Sequence, residues 1–123
     1  MSSNVLKEAW QNKDGAIVLT TVDRDGMPNS IYATCVALSD DNRIVIADNY
    51  FYKTKKNIEA KSKATVLFIT SEGTSYQVKG EIEYHTSGEV FTWMKGWNPT
   101  QHPGHGALVI NATQMYSGKK QLL

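Results

Sequence analysis

A chain of 123 residues is one domain by length, here residues 1–123, and such a domain buries about two-thirds of the surface its unfolded form exposes. The single cysteine, Cys35, cannot form an internal bridge, no basic leader opens the chain, and no apolar run approaches the ~20 residues of a membrane span, so the expected setting is cytoplasmic, without a membrane partner. A formal net charge of +1 argues against general affinity for nucleic acid, whose backbone binders carry a strong basic excess.

Ser2, Ser3 or Asn4 can cap a helix through about Gln11, with Val5, Leu6, Ala9 and Trp10 on one apolar face. Residues 16–22 are rich in β-branched side chains and predict a strand, and Asp23-Arg24-Asp25-Gly26 supplies the turn that follows. The return strand is expected over Asn29–Leu38. Asp40-Asp41-Asn42 then reverses the chain into a third strand over residues 43–48.

A helix from about Lys53 to Lys61 comes next, then a strand over Ala64–Thr70, a turn at Ser71-Glu72-Gly73-Thr74 and a long alternating strand over Ser75–Tyr84. Ser87 can cap a helix through Met94. Two prolines and two glycines make residues 99–106 an irregular loop, and Ala107–Thr113 forms the last strand. Six short strands with small helices and no repeated strand–helix alternation predict a mainly β fold, a six-stranded antiparallel barrel with short flanking helices.

Charge is concentrated in one place. Between Phe51 and Lys63 lie Lys53, Lys55, Lys56, Lys61 and Lys63 against Glu59 alone. Lys53 and Thr54 stand where a strand gives way to a helix, so free backbone N–H groups, a hydroxyl and an ammonium can meet one phosphate there. The alternative is a solvated helix face, but Tyr50, Phe51 and Tyr52 beside the cationic turn favour a phosphate with a flat ring attached. His102 and His105 have no nearby Cys or further His, so no metal site is expected and the loop reads as an ordinary flexible one that can cover a ligand. Cys35 and His85 have no sequence-visible partner for nucleophilic catalysis.

The order of elements resembles the FMN-binding split barrels, which include pyridoxamine 5'-phosphate oxidases and small FMN-binding electron-transfer proteins. The likeness rests on the hairpin Val22–Pro28, the strand Asn29–Val36, the stretch Ile46–Ile58, the segment Gln77–Gly80 and a Trp before the final Ala-Leu-Val-Ile strand. The resemblance implies a six-stranded split barrel that binds FMN non-covalently in a homodimer. It places Tyr32, Ala33 and Thr34 along the ring edge, Ala47 and Asp48 near the ribityl chain or phosphate, and Lys53 and Thr54 at the phosphate. Trp97 resembles a tryptophan that reaches the flavin across the dimer, and Gln121-Leu122-Leu123 a chain end that packs over the partner's flavin. Asp48 departs from the pattern, because an acid repels a phosphate and must bond the ribityl hydroxyls or point away.

On this reading the flavin carries the redox chemistry, in an oxidoreductase or an electron-transfer protein, and no side chain need act as acid or base. Pyridoxamine 5'-phosphate oxidase activity is not expected, since Arg24 and Arg43 are the only arginines and Ile31 stands where an oxidase arginine falls. The alternatives are a non-catalytic flavin-binding or sensing module and a deazaflavin-dependent reductase. The electron partner or nicotinamide donor is not identified by any motif.

Overall fold

The computed structural model describes residues 2–123, with side chains from residue 4 onward. Helix α1 (Ser2–Gln11) buries Leu6 and Ala9, and Trp10 meets Phe68 edge-on with ring centroids 5.3 Å apart. Asn4 lies within this helix rather than before it, and the side chains of Ser2 and Ser3 lie outside the described residues. Strands β1 (Ile17–Val22) and β2 (Pro28–Ala33) form the expected hairpin. Its turn is held by Asp23, whose Oδ1 accepts the backbone N–H groups of Asp25 and Met27, both at 2.9 Å, while Gly26 takes φ +86°.

The chain continues through β3 (Val36–Leu38), β4 (Ile44–Asp48), α2 (Lys53–Glu59), β5 (Ala64–Ile69), β6 (Ser75–His85), α3 (Glu89–Trp97), β7 (Gly106–Ser117) and β8 (Lys120–Gln121). All pairings are antiparallel, in the order β2-β1-β5-β6-β7-β4-β3, with β8 added on β7. The strands β2 and β3 therefore lie at opposite ends of the sheet yet are separated in sequence only by Thr34 and Cys35. The sheet must curl until its two ends meet there. This gives a mainly β, split-barrel architecture, an open curled sheet with three short helices.

The expected count of six strands becomes eight for two local reasons. Thr34 and Cys35 break the strand predicted over Asn29–Leu38: Val36 N–H bonds Thr34 C=O at 3.1 Å and Ala47 N–H bonds Cys35 C=O at 2.9 Å. One half of that strand pairs with β1 and the other with β4. Gly118, at φ +56°, then turns the chain back as β8, so that Leu122 and Leu123 pack against their own chain's core and bond Met115 through the backbone.

β4 is buried on both faces, and its alternation divides the core. Ile44 and Ile46 join the barrel interior with Ile17, Leu19, Val66, Val78, Leu108 and Met115, while Val45 and Ala47 pack under α3 with Met94, Ala107 and Val109. β6 bends at Lys79/Gly80, where the register shifts and a side chain at 80 would sit 2.0 Å from the Asn111 carbonyl oxygen. The cap predicted at Ser87 is not used: α3 starts after Gly88, at φ +91°, with no side-chain cap. Gly88 alone among its neighbours takes that backbone conformation without steric cost.

Candidate functional site

The edge of β2 that does not pair with β1 is free, and it faces two cavities along its length. Six residues of strand span about 20 Å. At the Pro28 end lies a cavity of about 580 Å³ between the β1–β2 turn and α2, with Arg24, Asn29, Lys53, Lys56 and Asn57 among its walls. At the far end, beside the Thr34–Cys35 break, lies a cavity of about 310 Å³. Its walls include Tyr32, Ala33, Thr34, Ala47, Tyr50 and Phe51.

The two ends differ in charge. The larger cavity brings three cations together, although Asp23, Asp25 and Glu59 also border it and Lys56 Nζ rests 3.2 Å from the Tyr52 hydroxyl. Asp23 Oδ1 is committed to the turn, where it accepts the Asp25 and Met27 N–H groups. The smaller cavity has no lysine, arginine, aspartate or glutamate in its walls. A phosphate suits the first end, and a neutral ring facing strand-edge N–H and C=O groups suits the second.

The eight residues expected to form the site separate into groups. Tyr32, Ala33, Thr34 and Ala47 come together around the smaller cavity, and Lys53 lines the larger one. Thr54 is 2% exposed and its Oγ1 accepts a hydrogen bond from Asn29 Nδ2 at 3.2 Å, so its hydroxyl braces the wall behind Asn29. It does not line the cavity beside Lys53. Thr54 follows Lys53 directly, but on a helix the two side chains diverge by about 100°.

Asp48 also turns away. Its Oδ1 accepts the Phe51 N–H at 3.0 Å and its Oδ2 accepts the Tyr84 hydroxyl at 2.6 Å, so the carboxylate is consumed in shaping the turn after β4 and borders neither cavity. Burial first, and this carboxylate second, push the Tyr84 phenol above its ordinary range. Trp97, the last residue of α3, packs against the second core layer, edge-on to Trp93 at 5.6 Å, and within one chain it touches neither cavity. Its buried Nε1 has no hydrogen-bond partner among the described residues.

Sequence reasoning did not single out Arg24, Asn29 or Cys35 as wall residues; it named Lys56, Tyr50 and Phe51 within the cationic and aromatic stretch, and His102 within a covering loop, without placing them on a cavity. In the sequence Arg24 reads as a turn residue, and the docking of that turn beside α2 brings it to the cavity. The loop at 99–106 is not free: Asn49 Oδ1 accepts Gly104 N–H at 3.0 Å, Lys95 Nζ donates to Pro103 C=O at 2.8 Å, and His105 N–H bonds Asp48 C=O at 2.8 Å. It forms a fixed wall that presents His102 to Tyr50. Their Nδ1 and hydroxyl are 3.1 Å apart.

The chain belongs to the pyridoxamine 5'-phosphate oxidase family, whose model matches residues 6–118. An uncharacterized protein of Methanocaldococcus jannaschii is 31% identical over 109 residues, covering 84% of this chain and 72% of that protein. The structure of an FMN-binding protein from Syntrophomonas wolfei superposes with a TM-score of 0.80 at 21% identity, over 94% of this chain and 87% of that one. That of an F420 reductase superposes with a TM-score of 0.66 at 17% identity, over 85% and 91%. At these identities the two structures establish likeness of fold.

Proposed function

We propose, from this family membership, that the chain is a flavin-dependent redox protein holding FMN non-covalently along the free edge of β2. The carrying observation is the arrangement, at the two ends of one strand edge, of a cavity that gathers Arg24, Lys53 and Lys56 beside three carboxylates and an aromatic-walled cavity free of lysine, arginine and carboxylates. Lys53, with Arg24 and Lys56 nearby, would hold the phosphate. Ala33 and Thr34 would offer main-chain groups to the ring, and Tyr32, Ala47 and Tyr50 would limit its position. Two-electron and one-electron chemistry would come from the flavin itself. The chain supplies binding, orientation and exclusion of water.

A second copy of the chain belongs to this reading. Cross-strand pairing puts Tyr32, Val18, Leu67, Gln77 and Tyr116 in one row on the outer face of the sheet. Tyr32 is 80% exposed and Leu67 43%, and Tyr32 also borders the ring cavity, so a partner on this face would complete the site. Sedimentation of the wild type and of Leu67→Glu tests it: a monomer in both rejects the dimer.

A deazaflavin cofactor is the second reading, supported by the volume of the larger cavity, about 580 Å³. Reconstitution separates the possibilities. FMN should quench on binding and give a bound-flavin absorbance spectrum, whereas preferential uptake of the deazaflavin would favour the second reading. Uptake of neither rejects both. Stopped-flow reduction by NADH, NADPH or a small redox protein then separates enzyme and carrier from a non-catalytic module.

A further inference from the structure

Arg24, Lys53 and Lys56 stand at the other end of the strand edge, so no fixed positive charge lines the ring cavity. A flavin ring that gains two electrons and one proton becomes an anion. In a confined space that charge draws a counter-charge from whatever group can supply one. Among the described residues that wall this cavity, His102 carries the one basic side chain, an imidazole able to bind a second proton.

His102 is also well held. Its own N–H bonds Pro99 C=O at 3.0 Å, the anchors from Asn49, Lys95 and Asp48 fix the segment that follows, and the rings of Tyr50 and His102 meet at 87° with centroids 5.6 Å apart. A phenol hydroxyl both donates and accepts, so Tyr50 can hold Nδ1 whether or not that nitrogen carries the proton. The other titratable groups in this surrounding are Cys35 and Tyr32 on the cavity wall, His105 three residues along, and Lys95, whose ammonium is bound to the carbonyls of Pro103 and Gly104. None of these places an ammonium or a carboxylate in the cavity wall.

We propose that His102 takes up a proton when the bound flavin is reduced and becomes the counter-charge of the reduced ring, with Tyr50 as its positioning residue. The inference rests on the FMN reading above. With dithionite as reductant, two electrons and one proton from water enter the ring, leaving it with one negative charge. A second proton from water binds the imidazole. Reoxidation by added ferricyanide, two equivalents of which take up the two electrons, releases both protons to water.

Redox titration of FMN-reconstituted protein with dithionite, repeated at several pH values around neutrality, tests this coupling. Wild type should take up two protons per two electrons, and His102→Gln one, so the slope of midpoint potential against pH should fall by half. Equal slopes overturn the proposal and leave FMN binding intact. NMR titration of the His102 ring in oxidised and reduced wild type gives a second reading that needs no variant: its titration should move to higher pH on reduction, and an unmoved titration overturns the proposal. Wild type that takes up no flavin overturns both the FMN reading and this one.

Discussion

The side-chain amides of Asn49 and Asn98 face each other and exchange hydrogen bonds, Nδ2 to Oδ1 at 3.1 Å in one direction and 2.9 Å in the other. Both residues are buried, and Asn49 Oδ1 accepts the Gly104 N–H as well. This pair joins the end of β4 to the end of α3 and fixes the wall that carries His102. Asn98→Ala would leave the Asn49 amide buried without its partner, at a cost of about 1–3 kcal/mol. Urea unfolding should show that loss, with faster amide exchange at Gly104 and His105. Unchanged exchange at both positions would mean that the amide pair does not hold the loop.

Lys53 is exposed at the start of α2, beside the cavity assigned to the phosphate. A charge-assisted contact is worth about 1.5–3 kcal/mol, so Lys53→Ala should weaken FMN binding roughly tenfold to a hundredfold. Riboflavin, which lacks the phosphate, should bind both proteins alike. Fluorescence titrations with the two flavins measure the difference. An equal loss for both would place Lys53 outside the phosphate contact.

Tyr84 links burial to alkaline pH. Its phenol is held above the ordinary range by desolvation and then by Asp48, whereas an unfolded tyrosine ionises near pH ~10. Above that pH the unfolded chain has released a proton that the folded chain keeps, so stability is full below pH ~10 and declines as pH rises through it. Tyr84→Phe should remove this decline while costing stability at neutral pH, because Asp48 Oδ2 loses its donor. Thermal melts of both proteins from pH ~7 to ~11 follow it. Parallel alkaline slopes would contradict the linkage.

Gly80 sits at the irregularity of β6, against backbone rather than a movable side chain. Gly80→Ala should therefore cost about 1–3 kcal/mol or more, since the β6–β7 pairing has to shift. Gly73→Ala is an instructive contrast: nothing lies within 4 Å of its added carbon, and its cost would come from φ +88° alone. Denaturation of the two variants compares steric with conformational strain. A smaller loss at 80 than at 73 would contradict the close approach.

Most of the architecture was written locally. The β-branched run at 17–22, the Asp23–Gly26 turn, the helix start at Lys53 and the alternation of Ser75–His85 each follow from short-range propensity and period, and each lies within a residue or two of its expected place. The break at Thr34–Cys35 was not visible, because neither residue is a strong strand breaker. It arises because the two halves of that strand serve opposite ends of one sheet. Curvature, unlike propensity, is a property of the closed path.

The candidate site divides the same way. Composition determined that residues 53–63 are cationic and that aromatics precede them, and family-like order pointed to Tyr32–Thr34 and Lys53. Tertiary structure alone decided that Thr54 turns inward to Asn29, that Asp48 is spent on Phe51 and Tyr84, and that Arg24 comes round to the larger cavity beside Lys53. It also made a loop histidine into a fixed wall of the smaller cavity. Residue type sets what a side chain can do chemically, but the direction in which it points depends on hydrogen bonds between segments far apart in sequence.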